Sequence, residues 1–212
     1  NGKFENITET AGVAMQDQIS VAAAFGDIDN DGKVDLFVTT VRKGNRLFRN
    51  LGGGKFEDIS EGSGENYSGH SSGAVFFDFD NDGLRDVFVA NVGNYTLPEE
   101  GTGGFYLAYA KAFEAHFEPA RSEQSILYKN LGNGRFRDVS QETGLTHRGW
   151  SGEASICDVD RDGFLDLYVL AMQGDDKLYR NDSGRRFVEA TTQFFPKTPW
   201  GAMGVKFFDY NL

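Results

Sequence analysis

Residues 27–35 read Asp-Ile-Asp-Asn-Asp-Gly-Lys-Val-Asp, and the same nine-residue pattern returns as Asp-Phe-Asp-Asn-Asp-Gly-Leu-Arg-Asp at 78–86 and Asp-Val-Asp-Arg-Asp-Gly-Phe-Leu-Asp at 158–166. Each copy places carboxylates at positions 1, 3, 5 and 9, where they repel one another unless a cation neutralises them. A hard divalent cation that takes about six to eight oxygen ligands suits this arrangement, and the glycine at position 6 permits a tight turn around it. The pattern therefore predicts three calcium-binding loops.

The predicted ligands of each loop are its four carboxylates and the backbone carbonyl of position 7, where the side chain is free to vary. A fourth copy begins at residue 209, again 51 residues (158 to 209) after the preceding one, and is truncated. Three complete calcium sites and one truncated site are thus expected. The predicted metal-binding residues are Asp27, Asp29, Asp31, Lys33, Asp35, Asp78, Asp80, Asp82, Leu84, Asp86, Asp158, Asp160, Asp162, Phe164, Asp166, Asp209 and Asn211.

Two other kinds of loop share part of this pattern. An EF-hand or dockerin loop lies between helices and closes its coordination with an acidic side chain at position 12, where this chain has Val38, Val89 and Val169. Each loop here is instead flanked by apolar, β-branched and aromatic runs, which are typical of strands. A solvated acidic turn explains one copy, but three copies in the same strand context favour metal binding.

A second element recurs in step with the loops: Leu, then Phe or Tyr, then a basic residue, then Asn, at 47–50, 127–130 and 178–181, followed by a Gly-rich turn and a strand-like run. The first aspartates of successive loops are 51 residues (27 to 78) and 80 residues (78 to 158) apart. A unit of about four short strands with a period near 50 residues is the signature of a propeller blade.

On these motifs the chain resembles the FG-GAP and VCBS repeats, the calcium-loop propellers typified by integrin α-subunits. It is more closely similar to bacterial proteins of the ASPIC/UnbV (cartilage acidic protein-like) group, which pair the acidic loop with the Leu-[Phe/Tyr]-x-Asn element and often carry Trp-Gly before the loop. Gly149-Trp150-Ser-Gly152 and Trp200-Gly201-Ala-Met-Gly204 fit that last feature, whereas His70-Ser-Ser-Gly73 departs from it and residues 19–20 lack it.

This resemblance implies an all-β fold, a closed ring of commonly seven four-stranded blades with the calcium loops on one rim. The repeats present amount to about half of such a ring, so we expect a fragment that needs further blades or a partner. The expected organisation is one partial propeller domain over 1–212. Its units are the end of a blade at 1–18, blades at 19–60, 70–140 and 150–191, and the start of a blade at 200–212.

The longer second interval predicts an insertion at residues 93–122. Within it Phe105, Tyr109, Phe113 and Phe117 are spaced four apart, which is one face of a helix that Pro119 would end. We therefore expect a helical insertion near 102–119. It could pack on its own propeller or dock a partner.

The chain of 212 residues has a formal net charge of −11. An acidic surface argues against nucleic acid and anionic membranes as partners, and no apolar stretch is long enough to insert into a membrane. Extracellular calcium modules have Kd values of about 10⁻⁴ to 10⁻³ M, so such loops favour an extracellular, cell-surface or periplasmic location. A protein partner, or the remaining blades, is expected.

The sequence favours a binding or scaffolding module with structural calcium over an enzyme. Its three histidines, His70, His116 and His147, share no motif, and no Ser-His-Asp elbow, phosphate loop or zinc pattern is present. The alternative is a propeller subunit or domain of a secreted or periplasmic enzyme or redox complex.

Overall fold

The computed structural model describes residues 2–65, 67–112, 114 and 118–208. Their main architecture is three four-stranded antiparallel sheets that follow one another along the chain, with one two-stranded hairpin in the second repeat. Sheet 1 contains β1 (Ile19–Gly26), β2 (Asp35–Val41), β3 (Arg46–Gly52) and β4 (Lys55–Asp58). Sheet 2 contains β5 (Ser71–Phe77), β6 (Asp86–Asn91), β9 (Ile126–Asn130) and β10 (Phe136–Asp138). Sheet 3 contains β11 (Trp150–Cys157), β12 (Asp166–Gln173), β13 (Lys177–Asp182) and β14 (Arg186–Glu189).

Each sheet is a meander in which the first strand pairs with the second, the second with the third and the third with the fourth. The acidic nine-residue loops join the first strand to the second in all three sheets. Because equivalent hairpins place their turns at the same end of the sheet, the loops share one rim. The predicted all-β, propeller-like fold is what the described residues adopt.

Two apolar cores lie between the sheets. Strand residues alternate in direction, so neighbours on one strand serve different cores. Phe76 packs with Phe37 of sheet 1, with ring centroids 6.3 Å apart, whereas the adjacent Phe77 packs with Phe187 of sheet 3 at 6.4 Å. The middle sheet is therefore covered on both faces and holds the three sheets together.

Close approach between sheets 1 and 2 depends on a glycine at the end of β1. A Cβ atom added to Gly26 would lie 2.6 Å from the ring of Phe76. No side chain fits in that space, so glycine at this position permits the Phe76 ring to reach the core between the two sheets.

The helix predicted near 102–119 is wrong for the described part of the insertion. Residues there form a hairpin of β7 (Thr96–Glu100) and β8 (Tyr106–Ala108), closed by a bond from the Gly101 N–H to the Phe105 carbonyl at 2.6 Å. Gly103 and Gly104 both have positive φ, which suits a tight turn and opposes a helix. The expected aromatic stripe is not formed at Phe105, which is 66% exposed; Phe113 and Phe117 lie outside the described residues.

The helical elements among the described residues are short: α1 (Thr8–Ala11), α2 (Thr191–Phe194) and a 3₁₀ turn at Pro119–Arg121. In the part of the chain that the structure describes, none of the helices has the length and apolar character needed to cross a bilayer.

Candidate metal centre

The three acidic loops bring together the carboxylates of positions 1, 3 and 9. In each group, one oxygen from every member lies within 4.8 Å of the others. The position 9 aspartates are buried, and those at positions 1 and 3 are half-buried except Asp160, which is exposed. The three groups are Asp27, Asp29 and Asp35; Asp78, Asp80 and Asp86; and Asp158, Asp160 and Asp166.

The aspartate at position 1 folds the loop on itself. Asp27 accepts hydrogen bonds from the N–H of Asp31 at 3.2 Å and of Gly32 at 2.9 Å, and Asp78 and Asp158 make the equivalent bonds in their loops. The residue at position 4 and the glycine at position 6 both take positive φ, so the loop is a sharply wound turn. The φ values at position 4 are 59° for Asn30, 57° for Asn81 and 61° for Arg161.

The aspartate at position 5 is not part of these groups. Its Oδ1 accepts the N–H of position 7, at 2.8 Å for Asp31 and at 2.9 Å for the other two loops. The other oxygen of Asp31 contacts the Lys33 ammonium, and this hydrogen bond lowers the pKa of Asp31 and raises that of Lys33. The side chain of position 5 is therefore held by the backbone N–H of position 7. The position 7 residues that make these contacts are Lys33, Leu84 and Phe164.

The aspartate at position 9 joins the loop to the third strand. Both oxygens of Asp86 accept backbone N–H groups, from Phe79 at 3.1 Å and from Asn130 at 2.8 Å. Burial raises the pKa of Asp86 to about 7 although these hydrogen bonds act in the opposite direction. Burial likewise raises the pKa of Asp35 and Asp166, which make the same pair of bonds.

The aspartate at position 3 is different, because no backbone N–H is bound to it in any of the three loops as described. The Oδ1 atoms of Asp29 and Asp80 are buried and have no hydrogen-bond partner among the described residues. Burial of a carboxylate oxygen without a hydrogen-bond partner is energetically unfavourable. Such an oxygen is a suitable ligand for a hard divalent cation. The residues present therefore fit a divalent metal ion.

Asparagine side chains link the loops to one another. Asn30 Nδ2 donates to the carbonyl of Gly83 in the next loop at 2.9 Å, and Asn81 Nδ2 donates to Gly163 at 3.1 Å. A second link returns from the asparagine of the Leu-[Phe/Tyr]-x-Asn element, which donates to position 2 of the preceding loop. These bonds run from Asn130 to Ile28 at 2.8 Å and from Asn181 to Phe79 at 2.7 Å.

The asparagine of each Leu-[Phe/Tyr]-x-Asn element also binds the acidic loop of its own sheet. Asn50, Asn130 and Asn181 each donate to the backbone carbonyl of position 8. These three asparagines were not predicted as functional residues, although their fixed place in the element is visible in the sequence, because the sequence does not show which carbonyls they contact. Of the predicted ligands, Asp209 and Asn211 lie outside the described residues.

Histidines 70 and 147 lie in separate hydrogen-bonded environments. His70 is buried, with Nδ1 2.7 Å from Glu123 Oε1 and Nε2 2.8 Å from Thr96 Oγ1. His147 Nδ1 is 2.9 Å from the Tyr179 hydroxyl, and burial lowers the pKa of His147 to about 4, with the nearby Lys177 adding to the effect. His147 is therefore neutral at neutral pH. His116 lies outside the described residues.

Comparison with known protein families identifies the repeats. The FG-GAP-like repeat matches residues 27–89, 120–169 and 158–212, and these ranges include all three acidic loops. The chain belongs to the FG-GAP-like repeat family. The predicted resemblance to FG-GAP repeats is thus confirmed.

No curated protein matches the sequence. Among solved structures, the rhamnogalacturonan lyase PL11 of Bacillus licheniformis is similar at 13% sequence identity and a TM-score of 0.34. The similarity covers 82% of this chain and 42% of the lyase chain, so this chain spans less than half the length of that structure.

Proposed function

We propose that this chain is a calcium-stabilised propeller module that binds or scaffolds other proteins outside the cytoplasm. One observation carries the proposal: three equivalent loops each gather three aspartate carboxylates, and in two of them the position 3 aspartate has a buried oxygen without a hydrogen-bond partner among the described residues. The calcium would be structural, because the loops join strands and lie on the rim of the fold.

Calcium is favoured over other metals by the chemistry of the donor set. The gathered groups are carboxylates alone, without the imidazole or thiolate that zinc and copper prefer. Calcium accepts a variable number of oxygen ligands, whereas magnesium requires a nearly ideal octahedron and retains several waters. A bound calcium ion would neutralise the mutual repulsion of the carboxylates and so stabilise each hairpin.

We propose as ligands the carboxylates at positions 1, 3, 5 and 9 and the carbonyl at position 7. Positions 1, 3 and 9 are supported by their proximity. Position 5 is adjacent in the loop and retains one oxygen that is not bound to the backbone. The Asp209 and Asn211 ligands of a fourth site remain a prediction.

The exposed Phe25 ring on sheet 1 supports the proposal that another sheet packs against this one. Phe25 stands two residues before its loop, as Phe76 does in sheet 2. Phe76 is 8% exposed and packs on the preceding sheet, whereas Phe25 is 60% exposed. By this equivalence we propose that Phe25 packs on another blade of the same kind.

The finer family assignment is also a proposal. The Leu-[Phe/Tyr]-x-Asn element and Trp200-Gly201 support membership of the ASPIC/UnbV group, whose calcium-loop propellers resemble those of integrin α-subunits. Extracellular calcium modules typically bind calcium weakly and stay filled only where calcium is abundant. Loops of this kind therefore support a location outside the cytoplasm. The net charge of −11 supports a protein partner over nucleic acid.

Native mass spectrometry of the full chain with calcium, and again after chelation, tests the metal part of this proposal. We expect three bound calcium ions and a lower thermal unfolding temperature after chelation. The matched control is the triple variant Asp29→Ala, Asp80→Ala, Asp160→Ala, which lacks the position 3 ligand and should bind fewer ions. A chain that binds no calcium and is equally stable with and without chelator would contradict the proposal.

A further inference from the structure

Each acidic loop faces a basic side chain from the third strand of its own sheet. This residue is always the variable member of the Leu-[Phe/Tyr]-x-Asn element, and it always approaches the position 3 aspartate. Arg49 Nε lies 3.4 Å from Asp29 Oδ2, and an Arg180 guanidinium nitrogen lies 3.6 Å from Asp160 Oδ2. The third such pair is Lys129 and Asp80, which are in direct contact.

The contact in the second loop differs from the other two in extent. Lys129 Nζ contacts Asp80 Oδ2 and also lies 2.8 Å from Asp82 Oδ2, so one ammonium bridges positions 3 and 5. Arg49 and Arg180 each form an ion pair with a single loop carboxylate. An ammonium is a compact point charge, whereas a guanidinium is planar and spreads its charge over three nitrogens.

The position of Lys129 is fixed by its surroundings. Its side chain is only 22% exposed, and its ammonium lies 5.4 Å from the centre of the Phe79 ring. A cation over an aromatic face is attracted to the ring. The ammonium therefore stays beside the two carboxylates rather than extending into solvent.

We propose that Lys129 competes with calcium for Asp80 and Asp82 and so weakens calcium binding in the 78–86 loop. The inference rests on the proposed function. A calcium ion bound by Asp80 and Asp82 must share both carboxylates with one ammonium, whereas in the third loop Arg180 pairs with Asp160 alone. The 78–86 site would then fill at a higher calcium concentration than the 158–166 site.

Calorimetric titration with calcium chloride tests this in the full chain. The background Asp29→Ala, Asp160→Ala removes a ligand oxygen from loops 1 and 3 but no hydrogen bond to the backbone, so calcium binding by the 78–86 loop dominates the titration. We expect Lys129→Met to lower its Kd about tenfold, the size of Coulomb repulsion between a dication and a monocation a few ångströms apart in water-like surroundings. Lys129→Arg keeps the charge and introduces the residue of the other repeats, so its Kd should lie between the two.

A second measurement covers the case in which the background variant does not fold. Native mass spectrometry of the chain with Lys129→Met as its only change should show more bound calcium than in the parent at the same sub-saturating calcium concentration. If Lys129 instead orients Asp80 for the metal, Lys129→Met will weaken binding, as happens when a residue that holds a metal ligand in place is removed.

Unchanged or weaker binding in Lys129→Met, with calcium still bound by the parent, overturns this inference and leaves the proposed function standing. If neither the parent nor Lys129→Met takes up calcium, both fail.

Discussion

The two aspartates Asp80 and Asp86 belong to the same loop but should respond differently to loss of their carboxylates. Asp80 makes no hydrogen bond to the backbone, and its Oδ2 pairs with Lys129. Asp86 is buried and accepts backbone N–H groups with both oxygens. Asp80 is therefore dispensable for the fold without metal, whereas Asp86 is required with or without it.

The magnitudes follow from these contacts. Without calcium, Asp80→Ala loses one partly exposed ion pair, which changes the free energy of unfolding by at most about 1 kcal/mol. With calcium at about 100 times Kd, one lost site removes about 2.7 kcal/mol, or about 5–10 °C in Tm for a chain of this length. Asp86→Asn turns an NH₂ group toward a buried N–H donor, which lowers the free energy of unfolding by about 1–3 kcal/mol in chelator as well.

Urea unfolding at pH 8, where Asp86 is ionised, measures both variants in calcium and in chelator. We expect Asp80→Ala to lose clearly more stability in calcium than in chelator, and Asp86→Asn to be destabilised in both. Equal destabilisation of Asp80→Ala in the two conditions would refute the assignment of position 3 to the metal. A stable Asp86→Asn in chelator would refute the structural role of position 9.

Three further substitutions test other parts of the molecule. Burial raises the pKa of Glu65 from 4.5 to about 7. The unfolded chain therefore releases this proton first, and the contribution of Glu65 to stability is lost as the pH rises from about 4.5 to 7. Glu65→Gln should be more stable than the parent by about 1–3 kcal/mol at pH 8 and nearly equal at pH 4.5 by urea unfolding; an equal difference at both pH values would contradict this. Asn81→Ala removes the bond to the Gly163 carbonyl and strains a residue at φ 57°, so it should lower the free energy of unfolding by about 1–2 kcal/mol, and Asn81→Gly, which tolerates that φ, by less. Phe25→Asp should leave Tm within about 2 °C because the ring is exposed, yet reduce self-association in sedimentation velocity; unchanged association would argue against a docking role.

The strands and the acidic loops were accessible from sequence because local signals agree there. Apolar runs before and after each loop predict the hairpins, and the recurrence of the pattern predicts the equivalent placement of the loops. The insertion was misread because spacing of four among aromatic residues fits a helix. The glycines at 103 and 104 favour a turn instead, and pairing of Tyr106–Ala108 with Thr96–Glu100 replaces the helical periodicity.

The hydrogen-bond partners of the individual carboxylates could not be predicted from the sequence. The pattern gives four equal carboxylates, but their partners differ, since position 9 binds two backbone N–H groups and position 3 binds none. That difference depends on which loop edge faces the third strand, a property of packing rather than of residue type. The buried carboxyl of Glu65 is a similar case, because its orphan Oε2 and its raised pKa arise from the surrounding sheet.

The hydrogen bonds of the aspartates determine how strongly metal binding is coupled to the stability of the fold. Positions 1, 5 and 9 hold the backbone of the loop, so much of the loop shape is specified by hydrogen bonds within the chain. A site that is already shaped spends little of its binding free energy on ordering the chain. The links from Asn30 to Gly83 and from Asn81 to Gly163 then join each shaped loop to the next. Metal bound in one loop should therefore restrict its neighbour, and stability gained at one site should extend along the rim to the next sheet.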